Sequence, residues 1–192
     1  GEEACDLHYS LLTHDCSEKN KPLFSGGCRY LTATSEIFGL ITFADSLMAI
    51  KHCVYDKKIF TLEEVVKMGD ANFEGYEKER NILLNAPKYG NDDDEADAMA
   101  VRVFHHIAKL HEEAGKNTNL YLYKVCSVNN SGSAEQGATT AATPCGRLKG
   151  SALSNGNSPS IGADKNGLTA TLNSMAKFDP ACHVGVIHNI RF

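Results

Sequence analysis

The chain has 192 residues, 42% of them hydrophobic, and a net charge of −5. That is enough apolar material for one domain with its own core, and the negative balance gives no electrostatic case for nucleic acid or an anionic membrane surface. No apolar run approaches the roughly 18 residues needed to span a bilayer, and the first ten residues, GEEACDLHYS, offer neither a basic start nor an apolar stretch, so no secretory leader is expected.

Seven cysteines stand at 5, 16, 28, 53, 126, 145 and 182. The odd count, the irregular spacing and the absence of any Cys-x-x-Cys pair predict reduced thiols in a cytoplasmic protein rather than a disulfide framework. The same spacings predict no zinc site.

In chain order, Leu7 to Thr13 reads as the end of a helix. Gly26-Gly27 before an aromatic run predicts a close backbone approach followed by an extended piece. From Glu36 to Tyr55, Phe38, Ile41, Ala44, Leu47 and Met48 recur at helical spacing and predict a largely buried helix. Asp45 falls inside it, and a structural partner is expected for its carboxylate. Thr61-x-x-Glu64 is a capping box opening a helix to about Ala71. A further helix covers Tyr76 to Asn85 and is stopped by Pro87.

Gly90-Asn91 is turn chemistry, and the acidic run Asp92 to Asp97 reads as an N-cap with acids in the first turn of a helix over Glu95 to Glu113. It lacks the arrangement of a calcium loop. On that helix Met99, Val103 and Ile107 form an apolar stripe beside Ala100, Phe104 and Leu110, with His105, His106 and His111 expected to be solvated or capping. Asn119 to Asn129 is β-branched and aromatic and predicts a strand. One of its faces carries Tyr123, Val125, Ser127 and Asn129, which makes those four the candidates for a substrate-pocket rim.

The stretch from Thr139 to Lys177 is dominated by Gly, Ser, Asn, Ala and Thr, yet its punctuation is too varied for a flexible spacer. It predicts an ordered loop, within an irregular segment from Asn130 to Asn166, leading into a helix from about Gly167 to Phe178. The terminal HVGVIHNIRF alternates as a strand, with Val184, Val186, His188, Ile190 and Phe192 on one side. No Gly-x-x-x-x-Gly-Lys-Ser/Thr motif supports a phosphate-cradling domain.

Five motifs occur in one order: Gly26-Gly27-Cys28-Arg29-Tyr30, Ala44-Asp45-Ser46-Leu47-Met48-Ala49-Ile50, Pro87-Lys88-Tyr89-Gly90-Asn91-Asp92, Ala142-Thr143-Pro144-Cys145-Gly146-Arg147, and Ser158-Pro159-Ser160 followed by Gly162, Asp164, Gly167, Thr169-Ala170 and Ser174. In these residues the chain resembles the glycyl radical enzyme family. Cys145 stands at the family's usual Asp and Cys28 at its usual Ala.

The resemblance implies an α/β fold that is part of a ten-stranded barrel of the pyruvate formate-lyase type, helix-rich and with few strands in this segment. It implies that residues 1–192 are a single segment of that barrel, truncated at both ends and lying between two central loops. One such loop carries a thiyl cysteine within Gly-Cys-x-Glu, the other a radical glycine within Arg-Val-x-Gly-Tyr. Neither occurs here. No catalytic residue, bound cofactor or metal is therefore expected on this chain, the glycyl radical belonging elsewhere in the enzyme.

The implied activity is anaerobic radical cleavage of a C–C, C–O or C–N bond, of the lyase, dehydratase, decarboxylase or formate C-acetyltransferase type. A non-catalytic binding or complementing module is the alternative. The implied partners are a radical SAM activating enzyme and a small-molecule substrate, and the resemblance is compatible with a homodimer. Ser158 and Ser160 join the candidate residues as holders of the late loop.

Overall fold

The computed structural model describes residues 6–128 and 131–190. Three parallel strands, β1 (Thr32–Glu36), β2 (Leu122–Ser127) and β3 (His183–Val186), form one sheet in the order β1-β2-β3. β1 and β2 run in strict register from Thr32↔Leu122 to Glu36↔Cys126. The β2–β3 ladder slips between Val125 and Cys126. Among the described residues eight α-helices accompany the sheet: α1 (Leu7–Leu12), α2 (Cys16–Lys19), α3 (Leu40–Ile50), α4 (Leu62–Asp70), α5 (Glu77–Leu84), α6 (Asp94–Gly115), α7 (Gly132–Thr139) and α8 (Gly167–Ala176). The helix-rich α/β character expected from the sequence is what forms, and the six described cysteines are free thiols.

The helix expected from Glu36 begins later. Thr32 to Glu36 alternate exposed and half-buried and pair with β2, so sheet pairing takes these residues before the helical periodicity starts. Gly39, in the left-handed region at φ 69°, turns the chain into α3. Past Ile50 the helix widens into a π-helical stretch, Lys51–Asp56. The capping box forms as expected: Thr61 Oγ1 accepts from Glu64 N at 3.2 Å and Glu64 Oε2 from Thr61 N at 2.8 Å. Asp93 caps α6, accepting from the amides of Glu95 and Ala96.

The stretch from Asn130 to Asn166 is not wholly irregular, because α7 forms within it. Its small residues hid it. They also permit it, since a Cβ on Gly137 would come within 2.3 Å of Ser151 O. Gly27 is the close approach expected at Gly26-Gly27, its Cα facing the carbonyls of Lys21 and Pro22. The C-terminal strand is shorter than its alternation implied, and Phe192 lies outside the described residues.

Two apolar clusters hold the elements together. The larger joins Leu40, Ile41 and Ala44 of α3 to Ala100, Val103 and Phe104 of α6, with Tyr89, Val125 and Phe178. Phe104 stacks edge-on against Phe178 at 5.3 Å and His183 at 5.5 Å, tying α6 to the entry of β3. The smaller gathers Ala49, Val65, Met68, Phe73 and Leu83 under α4 and α5. Leu110, placed beside the apolar stripe by its spacing, is 51% exposed. Urea unfolding should separate the two positions. Phe104→Ala should cost about 3–5 kcal/mol of stability, and Leu110→Ala under about 0.5 kcal/mol.

Candidate functional site

The carboxyl ends of β2 and β3 are closed by the late loop. Gly156, at φ 58°, lies so near them that an added Cβ would meet Ile187 O at 2.3 Å and Ser127 O at 3.0 Å. Asn157 N then donates to Ile187 O, and Ile187 N to Ser127 O. Crevices beyond the carboxyl ends of parallel strands are where α/β folds place ligands.

The loop is clipped down by residues of the sequence motifs together with their neighbours. Ser160 Oγ donates to Asp45 Oδ2 at 2.5 Å, while Asp45 Oδ1 accepts from Tyr89 N at 3.0 Å. Thr42 and Ser154 exchange a reciprocal pair, amide to hydroxyl, at 3.0 and 2.8 Å. Asn91 acts as a four-way clip: its Oδ1 accepts from Lys165 N and Asn166 N, and its Nδ2 donates to Lys88 O and Ala163 O. Pro159 sits so tightly on Gly90 that a Cβ there would meet the proline ring at 2.4 Å. Thr171 Oγ1 donates to Gly90 O.

The acidic run serves the same purpose. Lys177 Nζ lies 3.2, 2.9 and 2.7 Å from Asp92, Asp94 and Asp97, and those carboxylates raise its pKa. Buried Asp97 also accepts from Ser174 Oγ at 2.9 Å.

The strand-face candidates fall in a different place from the loop candidates. Val125 is fully buried in the larger apolar cluster. Tyr123 is half-buried with its ring 5.3 Å from that of His111 on α6. Ser127 is fully buried, and among the described residues its Oγ has no hydrogen-bond partner. Asn129 lies outside the described residues. The expected pocket face is thus the face that α3 and α6 cover, so Tyr123 and Val125 pack against helices instead of lining a described cavity. Period-2 alternation told the two faces apart but not which one the helices would take.

The opposite face carries Thr32, Thr34 and Glu36 of β1 beside Leu122, Lys124 and Cys126 of β2, exposed or half-exposed. Ser158 is buried, and its Oγ accepts from Asn189 N at 2.8 Å. Ser160 alone of the candidates lines the largest described cavity.

That cavity, about 590 Å³, lies between α5, the turn at Cys145–Arg147 and the loop at Ser160–Lys165. Arg80, Lys88, Arg147 and Lys165 line it. Among the described residues their hydrogen bonds go to neutral oxygens: Gly146 O for Arg80, Leu83 O and Ala86 O for Lys88, Thr140, Ala141 and Ser151 carbonyls for Arg147, and Asn85 Oδ1 for Lys165. Burial depresses the pKa of both Lys88 and Arg147. The turn holds its shape with a cysteine at its centre: Thr143 N donates to Arg147 O, Gly146 N to Thr143 O, and Cys145 Sγ lies 3.2 Å from Thr143 Oγ1. The lining can hold a negatively charged group.

A model described as pyruvate formate lyase-like matches residues 2–130. The chain belongs to the pyruvate formate lyase-like family. It is 41% identical over 198 residues to trans-4-hydroxy-L-proline dehydratase of Clostridioides difficile, an alignment covering 100% of this chain and 25% of that protein. Its fold matches the B12-independent glycerol dehydratase from Clostridium butyricum with a TM-score of 0.88 at 33% identity, covering 94% of this chain and 23% of that one. It matches a glycyl radical enzyme from Archaeoglobus fulgidus at 0.83 and 32%, covering 91% and 22%. The chain spans about a quarter of the length of the relatives it matches. Its three strands and helices are therefore part of the glycyl radical enzyme barrel fold, as the motifs implied.

The buried Asp45 carboxyl makes the clip pH-sensitive. Burial pushes its pKa from 3.8 up to about 6, against the opposing pull of Ser160, the Tyr89 amide and Lys88. A carboxyl raised by folding stabilises the fold fully below its unfolded value and loses that contribution as pH rises through about 6. The loss amounts to about 3 kcal/mol at most. Asp45→Asn can still donate to Ser160 and accept from Tyr89 N. Unfolding midpoints measured from pH 4 to 7.5 should therefore fall less steeply in Asp45→Asn than in the parent, with the variant the more stable at pH 7.5.

Proposed function

We propose that this chain is the stretch of a glycyl radical enzyme between its thiyl-cysteine loop and its radical-glycine loop, and that the enzyme belongs to the lyase and dehydratase branch. It would cleave a C–O, C–C or C–N bond of a small molecule under anaerobic conditions in the cytoplasm, after activation by a radical SAM enzyme. The observation that carries this reading is the late loop, clipped across the carboxyl ends of a parallel sheet by residues of three of the five motifs. Such a clip fixes backbone at the site where a barrel enzyme works.

In this reading the helix-covered face makes the outer layer, and the open face with Thr34, Lys124 and Cys126 turns toward the barrel interior. Tyr123, Val125, Ser127 and Asn129 then support the pocket wall from behind, and Ser158 and Ser160 set the loop. The cysteine contexts ACD, DCS, GCR, HCV, VCS, PCG and ACH contain no Gly-Cys-x-Glu. This chain therefore contributes walls and not the radical. The same absence favours, as a second reading, a complementing module that does no chemistry of its own.

Anaerobic activation of the polypeptide carrying this chain separates the two. The enzyme reading expects the electron-spin resonance doublet of a glycyl radical, and a reading frame with Gly-Cys-x-Glu before these residues and Arg-Val-x-Gly-Tyr after them. A frame lacking both motifs leaves the complementing module.

A further inference from the structure

Three ligand types meet at the junction of α6 and β3. A nitrogen of His105, a carboxylate oxygen of Asp179 and the sulfur of Cys182 all lie within 4.8 Å of one another. We propose that these three side chains form a zinc(II) site. It is assembled across 77 residues of sequence, which is why ligand spacing along the chain gave no sign of it.

The local structure aims the donors. Asp179 caps the 3-10 turn Pro180–Cys182, its Oδ1 accepting from Ala181 N at 2.8 Å. That bond fixes the carboxylate and leaves Oδ2 toward Cys182 Sγ, 3.5 Å away. A hydrogen-bonded second oxygen is the usual way a carboxylate ligand is oriented. Lys124 Nζ donates to Ala181 O and holds the turn against β2. His105 follows Phe104, whose ring is locked between Phe178 and His183, so the backbone that presents the imidazole is anchored in the core. Among the described residues His105 Nε2 is a buried atom with no hydrogen-bond partner, a polar atom that a metal would satisfy.

The donor set selects the ion. Imidazole and thiolate suit zinc and disfavour magnesium and calcium, which take oxygen ligands. Tetrahedral bonds of about 2.0–2.3 Å place neighbouring ligand atoms roughly 3.5 Å apart, so a contraction of about 1 Å closes the site. Binding exchanges the Cys182 thiol proton for a zinc–sulfur bond and releases that proton to solvent, with no change of oxidation state. The fourth position is left to water. His183, Glu112 and Lys124 are the other charged or titratable groups close enough to act on Asp179 or Cys182. Bound zinc would staple α6 to the entry of β3.

The test uses the polypeptide carrying this chain, stripped of metal, with zinc(II) alone as the probe. Competition against a chromogenic chelator should give one zinc that is lost in both His105→Ala and Cys182→Ser, with affinity at least about tenfold weaker in each. Cobalt(II) in place of zinc should give a thiolate charge-transfer absorption that disappears in Cys182→Ser. Unchanged circular dichroism of the metal-free variants excludes unfolding as the cause. Zinc stoichiometry and affinity equal in the parent and the His105→Ala/Cys182→Ser double variant overturn the proposal, as does a cobalt spectrum without the thiolate band.

Discussion

The hydrogen bond between Ser160 and Asp45 joins positions 115 residues apart and brings the late loop onto α3. Asp45 is fully buried, and its other oxygen is held by the Tyr89 amide, so one carboxyl links α3, the turn after Pro87 and the loop. Desolvation opposes this arrangement strongly enough to raise the carboxyl's pKa to about 6. A buried polar group of this kind is tolerated when both oxygens are satisfied, and it then admits few alternative packings. The Thr42–Ser154 exchange and the four bonds of Asn91 repeat the device on either side. A loop with so few large apolar side chains cannot be fixed by hydrophobic burial, so polar side chains fix it instead.

That division of labour explains what the sequence could say. Wherever local chemistry decides, the expectation held: the Thr61–Glu64 box and the Asp93 cap both formed. Wherever tertiary competition decides, it slipped. Thr32 to Glu36 went to a strand because β2 offers them a parallel ladder, and the residues of α7 carry too little apolar signal to announce a helix.

The strand shows where pattern alone stops. Alternation sorted Tyr123, Val125 and Ser127 from Leu122, Lys124 and Cys126 correctly, but both sets mix apolar and polar residues. Only the arrival of Phe104 and the rest of the α3–α6 cluster decides that Val125 lies in the core. The motif residues were legible as a group because they interact as a group. Asp45, Tyr89, Gly90, Asn91, Ser160 and Ser174 come from three separated motifs, yet they converge on the turn after Pro87 and the segments packed on it.

The cationic cavity follows from the same packing. Arg80, Lys88, Arg147 and Lys165 each spend hydrogen bonds on neutral oxygens that shape the turn at Cys145 or the end of α5. Their charges are left without an ion pair among the described residues, in a recess where burial already disfavours the charged forms of Lys88 and Arg147. Coulomb attraction is stronger there than in water. A carboxylate entering the recess would therefore relieve a cost the fold already bears. A cavity of this kind stands apart from the open face of the sheet, so the chain presents two chemically distinct surfaces: a cationic recess behind the loop and a mixed polar face on β1 and β2.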